Sequence, residues 1–174
     1  MVARPQPEEF TGFESSYVAR VPDGADVFEV LRGQSDQLQA ILQNVWNDQA
    51  GRRPRPGQWS IKEVIGHIAD QERIFAYRLL CIARGDKTPL PGYDQEAYVD
   101  GTDLNARSLA GLVEEFDRQR RANLLCFEAL DEDEFTRVGT ANDSLVTPRA
   151  LLYLMAGHVM HHLESLQVDY NVGG

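Results

Sequence analysis

Residues 147–168 read TPRALLYLMAGHVMHHLESLQV, a stretch with both the start signal and the length of a long helix. Thr147 can accept a hydrogen bond from the amides of the first turn, which have no partner inside a helix. Pro148 suits the first helical position because the N–H that proline lacks would not be bonded there. The stretch therefore predicts a helix from about Pro148 to Val168, the fourth predicted helix of the chain.

Three other segments carry apolar residues at the three-, four- and seven-residue spacing of amphipathic helices. They cover residues 26–50, 60–85 and 108–130. In the second segment, Ser60 and Glu63 have the spacing of a capping box. Four helices of roughly 20 residues, without a convincing strand, predict an all-α four-helix bundle.

Three segments lie outside the predicted helices. Residues 1–25 hold prolines and scattered aromatics and are expected to form an irregular N-terminal arm against a single domain of residues 26–174. Residues 86–107 predict a long surface connection with at most one short helical turn. A connection of this length can join helices two and three when both run the same way. Residues 131–146 are acidic and then irregular.

The composition is that of a globular protein. Of 174 residues, 43% are apolar and 25% are charged, which suits one domain with one hydrophobic core. No run of 18 apolar residues exists, and the N-terminus lacks the apolar core of a signal peptide, so a cytoplasmic protein without a membrane span is expected. Cys81 and Cys126 are expected to be buried free thiols.

The chain is acidic, with 27 acidic residues against 17 Lys and Arg and a formal charge of −10. Such a field repels a phosphate backbone unless a local basic patch overrides it. The two short basic runs, residues 52–55 and 118–121, are interpreted as solvated loop or helix faces. The charge therefore argues against a nucleic-acid partner.

Three of the four histidines lie within five positions of the fourth predicted helix. At about 100° per residue, His158 and His162 fall in the middle of the buried face, about 40° apart, and His161 falls at its edge. Two imidazoles four residues apart stack about 6 Å apart on one side of the helix, where their nitrogens can converge on one ion. This spacing is compatible with a metal site.

The remaining histidine, His67, lies near the apolar face of the second predicted helix and can point across the bundle. Three histidines from two helices would leave coordination positions open to water or substrate, as catalytic sites do. The pair alone does not distinguish metal binding from core histidines that are satisfied by hydrogen bonds. For His161, a hydrogen-bonding or surface role is expected.

Polar residues near His67 have alternative interpretations. Gln71 lies one turn further on and could orient a bound water or substrate, although a position at the helix boundary is favoured. Asp70 and Glu72 are expected to face solvent. No catalytic residue is assigned among them.

Arg78 lies three turns after His67 on the same stripe. An arginine whose stem covers the bundle edge is favoured there over one that binds an acidic substrate group. Tyr93 and Tyr98, in the long connection, are candidates to cover the mouth of the site.

Two segments carry a family resemblance. PGQWSIKEVIGHIADQERIFAYRL, residues 56–79, resembles the second-helix signature of the DinB-like (DinB/YfiT) superfamily, with a Trp-Ser helix start and a histidine seven residues after the serine. TPRALLYLMAGHVMHHLESL, residues 147–166, is similar to the fourth helix of that superfamily, where a histidine precedes a His-His pair. The similarity extends over about residues 26–170.

The resemblance implies a bundle with an up-down-down-up course and a divalent metal, commonly nickel or zinc. Carried over residue by residue, the ligands are His67, His158 and His162. The superfamily includes S-transferases and isomerases that use bacillithiol, mycothiol or glutathione, and proposed hydrolases. Several relatives have a glutamine three residues after the histidine pair, where this chain has Ser165.

The expectation is therefore a metal-dependent enzyme acting on a small molecule, either a thiol-dependent S-transferase or a hydrolase, with a low-molecular-weight thiol as a potential cofactor. A homodimer is plausible. The alternative is a non-enzymatic metal-binding or oligomerising bundle, in which the ion only ties helices together. A third is a metal-free bundle with hydrogen-bonded core histidines.

Overall fold

The computed structural model describes residues 2–13 and 15–173. The described residues form eight α-helices, two 3-10 turns at Pro7–Phe10 and Leu104–Ala106, and one hairpin. In chain order these are α1 Ser15–Arg20, α2 Val27–Leu42, α3 Asn47–Ala50, α4 Ile61–Ala83, α5 Gln95–Asp100, α6 Leu109–Phe127, α7 Glu132–Thr136, β1 Gly139–Ala141, β2 Ser144–Val146 and α8 Pro148–Asp169. The long helices α2, α4, α6 and α8 form the predicted bundle.

The predicted start signals are the caps of these long helices. Thr147 accepts a hydrogen bond from the Ala150 amide at 3.2 Å, with Pro148 in the first position of α8. At the start of α4, the Ser60 hydroxyl accepts from the Glu63 amide and the Glu63 carboxylate accepts from the Ser60 amide. Local sequence therefore fixes where the two histidine-bearing helices begin.

Contacts between helix ends establish the course of the chain. Helices α2 and α6 are antiparallel: Arg32, early in α2, pairs with Glu128, just past the end of α6, at 3.1 Å. Asn47, just past the end of α2, accepts from the Leu109 amide at the start of α6 at 2.9 Å. The up-down-down-up course requires α4 to run parallel to α6, and α8 parallel to α2.

Both parallel pairs are present. Ser60, at the start of α4, bonds Asn105 just before α6 at 2.7 Å, and further along Asn123 of α6 donates to Glu72 of α4 at 2.9 Å. Gln34 of α2 donates to the Ala156 carbonyl of α8 at 2.7 Å. Further along, Ile41 near the end of α2 lies against Gly173, just past the end of α8. The course is therefore up-down-down-up, as predicted.

The segments between the long helices contain secondary structure that the sequence did not predict. Contrary to the expectation of no strand, residues 131–146 contain α7 and an antiparallel hairpin. Its turn residues Asn142 and Asp143 have positive φ angles of 51° and 57°. This is the left-handed conformation that two-residue hairpin turns require and that Asn and Asp tolerate. The strands are only three residues long, so alternation of apolar residues gave no signal.

The first predicted helix is shorter than expected. It ends at Leu42 rather than near residue 50, and α3 follows as a separate turn. The Asn47 side chain accepts a hydrogen bond from the Leu109 amide at the start of α6. This contact ties the segment to α6 instead of letting it continue α2. The long connection of residues 86–107 likewise contains α5 and a 3-10 turn rather than a single short turn.

The described residues of the N-terminal arm pack against α8 and, contrary to the expectation of an irregular arm, include a helix. Its helix α1 packs on α8 so closely that a Cβ on Gly157 would lie 1.8 Å from the Tyr17 carbonyl oxygen. Arg4 donates to the Val18 and Val21 carbonyls at 2.7 and 2.8 Å. The arm therefore covers the face of α8 next to His158.

A buried ion pair crosses the centre of the bundle. Arg120 of α6 donates to both carboxylate oxygens of Glu72 of α4, at 3.0 and 2.9 Å. The third nitrogen of Arg120, Nη1, donates to the side chain of Gln34 at 2.8 Å and to the Leu31 carbonyl at 2.9 Å. Glu72 and Arg120 are 3% and 1% exposed. The expectation that both face solvent was wrong, because each satisfies the other's charge inside the core.

Cys81 and Cys126 are free thiols, as predicted, but half-buried rather than buried. In the described parts of the chain, no helix has the length and apolar character needed to cross a membrane.

Replacing Arg120 with Ala is expected to lower the free energy of unfolding by about 3–5 kcal/mol, because the Glu72 charge is left buried without a partner. Urea denaturation measures the change. The matched control is Arg121→Ala, which removes an exposed pair with Asp117 from the same helix and is expected to cost less than about 1 kcal/mol. Equal losses in the two variants would contradict the role of the buried pair.

Gly157→Ala is expected to destabilise the protein by about 1–3 kcal/mol, since the added methyl group overlaps the α1 backbone. Increased proteolytic cleavage at α1 should accompany the loss. Gly33→Ala in α2 is the control, because the new Cβ would meet nothing closer than 3.8 Å, and alanine favours the helix by about 1 kcal/mol. An undisturbed arm in Gly157→Ala would show that α1 does not depend on this contact.

Candidate metal centre

Helices α4 and α8 carry the three histidines. His67 lies in the second turn of α4, while His158 and His162 lie one turn apart on the same side of α8. Because α4 and α8 are antiparallel neighbours, the start of α4 faces the second half of α8. The three rings meet where the two helices pack, as the sequence predicted.

The ring nitrogens face one another. The Nε2 atom of His158 lies 3.0 Å from that of His67 and 3.1 Å from that of His162. One nitrogen from each of the three residues lies within 4.8 Å of the others. Among the described residues, no Asp, Glu or Cys joins this cluster.

Hydrogen bonds alone do not satisfy this arrangement. The Nε2 of a neutral imidazole is either one donor or one acceptor, so His158 can make a proper hydrogen bond to only one of its two neighbours. A cation lets all three nitrogens act as acceptors. Ligand atoms about 2.1 Å from one ion lie about 3.0 Å apart at right angles and about 3.4 Å apart at the tetrahedral angle. The two spacings around His158 are therefore within the range for nitrogens that share one divalent ion.

Burial keeps the three imidazoles neutral. It lowers the pKa of His67 to about 4, with a smaller contribution from His161. Burial, followed by the neighbouring His67 and His161, lowers the pKa of His162 to about 3. The pKa of fully enclosed His158 is lowered well below its usual value, first by burial and then by the other histidines and Arg120. At neutral pH each ring thus has a free lone pair, the form that binds metals.

Aromatic side chains surround the cluster. The Trp59 ring lies 4.9 Å from that of His67, and the rings of Tyr17 and Phe75 meet His158 edge-on at 5.5 and 6.3 Å. Tyr17 comes from the N-terminal arm and was not predicted, because nothing in the sequence of α1 indicates which part of α8 it covers. These rings exclude water from the sides of the cluster.

His161 stands beside the cluster rather than in it. Its ring lies 5.7 Å from Tyr17 and 5.0 Å from His162. It is half-buried and supplies none of the three converging nitrogens. This position agrees with the expectation of a role other than ligand.

Gln71 is buried at 7% exposure, so the favoured position at the helix boundary was wrong. Its Oε1 accepts a hydrogen bond from the Tyr93 hydroxyl. Asp70 is half-exposed, as expected, and pairs with Arg73. Gln71 therefore connects the His67 turn to the long connection.

Arg78 is 4% exposed and donates to the Pro91 carbonyl at 2.8 Å. The expected position at the bundle edge was wrong, because residues 90–93 fold over it. Tyr93 packs edge-on against Tyr98, with ring centroids 4.9 Å apart. Together these residues of the connection form one wall of a cavity beside α4.

Solved structures share the fold. YfiT from Bacillus subtilis, described as a probable metal-dependent hydrolase with an unusual four-helix bundle topology, matches with a TM-score of 0.74 at 19% identity, over 86% of this chain and 93% of that one. A mycothiol-dependent maleylpyruvate isomerase matches with a TM-score of 0.67 at 14% identity, over 80% of this chain and 59% of that one. At these identities the likeness concerns the fold.

No curated protein is similar enough to the chain to count as a match. The family model of the DinB superfamily matches residues 22–166, which include all three converging histidines, the whole of α2, α4 and α6, and α8 except its last three residues. The chain therefore belongs to the DinB superfamily.

Proposed function

We propose that the protein is a divalent-metal-dependent enzyme whose ion is held by His67, His158 and His162 and whose substrate is a small molecule. The observation that carries this proposal is the convergence of three neutral imidazole nitrogens that hydrogen bonds alone do not satisfy. Two of them come from the buried His67 and His158 and one from the half-buried His162. Nickel and zinc are the proposed metals, since both accept imidazole ligands.

A divalent ion in this position would supply Lewis-acid activation, lowering the pKa of a water or thiol so that a nucleophile is available near neutral pH. The three histidines contribute no negative charge that would weaken this effect. Trp59 and Phe75 limit the access of bulk water, which strengthens electrostatic interactions at the site.

Gln71 is proposed as a positioning residue. Burial raises the pKa of Tyr93 to about 12, so its hydroxyl stays protonated and donates to the Gln71 oxygen throughout the neutral range. This bond fixes the amide, leaving its N–H donors to hold a substrate one turn from His67.

The reaction is proposed to be either hydrolysis or transfer of a low-molecular-weight thiol. Support comes from two proteins of similar fold, one described as a probable metal-dependent hydrolase and the other as a mycothiol-dependent isomerase. A non-enzymatic bundle, in which the ion only ties α4 to α8, is the alternative, because the ligands come from two helices.

Cytoplasmic location, a homodimer and the absence of a nucleic-acid partner also stay proposals. Support for the last comes from the run at residues 118–121. Arg118 pairs with Glu114 and Arg121 with Asp117, so acids on the same helix offset these charges. Arg120 points into the core.

Metal content tests the ligand set. The purified, untagged protein, reconstituted with nickel or zinc, is expected to hold about one ion per chain by elemental analysis. His67→Ala, His158→Ala and His162→Ala should each lose it, because two imidazoles make a weak site. His161→Ala is the matched control and should retain the ion. The proposal would be contradicted if the wild-type protein held no metal after reconstitution, or if His67→Ala retained the full metal content.

Thiol binding distinguishes an enzyme from a metal-stapled bundle. Metal should raise the melting temperature in both cases, because it binds only the folded chain. For a thiol-dependent enzyme, adding mycothiol, bacillithiol or glutathione should change the visible spectrum of the nickel-loaded protein. For a hydrolase, adding a hydrolysable substrate should yield product. Raised stability with an unchanged spectrum and no turnover would favour the staple.

A further inference from the structure

Arg78 and Arg120 are both buried, but only one of the two charges is balanced. Arg120 forms a two-point ion pair with Glu72. Arg78 is 4% exposed, and no described carboxylate lies within 4 Å of its guanidinium. Burial accordingly lowers the pKa of Arg78 from its usual value. A buried charge without a counter-ion is costly to folding unless something else compensates it.

The donors of Arg78 are mostly unused. A guanidinium has five N–H donors in a planar fork, and the contact within the described chain is a single bond to the Pro91 carbonyl. The Arg78 nitrogens that lack a hydrogen-bond partner are not fully enclosed by protein. The rest of the fork therefore opens on the cavity beside it.

That cavity has a volume of about 300 Å³, and its walls are mainly apolar. Tyr77, Tyr93 and Tyr98 supply aromatic surface, and Ile74 and Leu90 supply aliphatic surface. The other arginine at this cavity, Arg73, is already paired with Asp70 and Glu115. Among the residues that the structure describes, Arg78 is therefore the positive charge without a counter-ion in an otherwise apolar pocket.

Tyr93 connects the cavity to the turn of α4 that follows His67. It forms part of the cavity wall and also donates to Gln71, one turn after His67. Arg78 lies eleven residues after His67, about 16 Å along α4 and about 20° around it. Side chains on a helix generally lean towards its N-terminus, and His67 lies in that direction from Arg78.

We propose that this cavity binds the carboxylate end of the substrate, which pairs with Arg78 while its apolar or aromatic body packs against Tyr93 and Tyr98. Planar two-point pairing with a carboxylate is what a guanidinium fork provides. The proposal rests on the proposed enzymatic function and deepens it: the substrate class is a small organic acid, whose other end reaches the histidines.

Benzoate and its neutral counterpart benzamide are the probes. Calorimetric titration of the full-length protein at neutral pH should show benzoate binding at least about tenfold more tightly, because only benzoate balances the Arg78 charge. In Arg78→Gln this preference should disappear. The matched control, Arg84→Gln, removes an exposed arginine from the end of α4 outside the cavity and should keep the preference.

Equal binding of the two probes to the wild-type protein overturns the proposal, and this comparison needs no variant. A preference that survives in Arg78→Gln overturns it as well. Should Arg78→Gln fail to fold, Arg78→Lys keeps the positive charge without the planar fork and is expected to retain only part of the preference.

Metal content is measured in the same samples, before and after treatment with a chelator. Benzoate should bind in both states, since none of the described contacts of Arg78 involves a histidine. Absence of bound metal together with preferential benzoate binding would contradict the metal proposal and support the anion site. Metal binding without any preference for benzoate would overturn the anion site alone.

Discussion

The buried ion pair between Arg120 and Glu72 is the constraint on which the arrangement of the bundle depends. Arg120 of α6 bonds Glu72 of α4 and Gln34 of α2, and Gln34 in turn bonds the Ala156 carbonyl of α8, so one polar network contacts all four long helices. A relative shift of the helices would separate the partners of this network, and a buried charge without its partner is heavily destabilising. The network therefore sets the register of the helices.

That register determines the histidine cluster. Glu72 lies five residues after His67, and Ala156 lies two residues before His158, so fixing one pair of positions fixes the other. A shift of one helical turn, about 5.4 Å, would separate nitrogens that now lie 3.0 Å apart. The charge of Arg120 also contributes to the lowered pKa of His158, so the same network helps keep that ligand neutral.

The functional surroundings are built by segments outside the bundle. Helix α1 brings Tyr17 against His158, and the connection of residues 86–107 brings Tyr93 to Gln71 and Pro91 to Arg78. The hairpin holds this connection, because Leu90 donates to the Thr140 carbonyl and accepts from the Asn142 amide, each at 2.9 Å. Loops fixed in this way on a rigid bundle commonly shape the pockets of enzymes.

The sequence by itself determined the four long helices, their caps and the position of His158 and His162 on one side of α8, because helical spacing and capping chemistry act within a few residues. The sequence indicated that His67 could face this pair, but the contact itself depends on the register between α4 and α8. Only the tertiary structure decided the environments of Gln71, Glu72 and Arg78. Each is a polar residue on a helix, and spacing alone suggests solvent or a boundary. Their burial depends on Tyr93, Arg120 and Pro91, which are 13 to 48 residues away along the chain and approach only after the helices and the connection have packed.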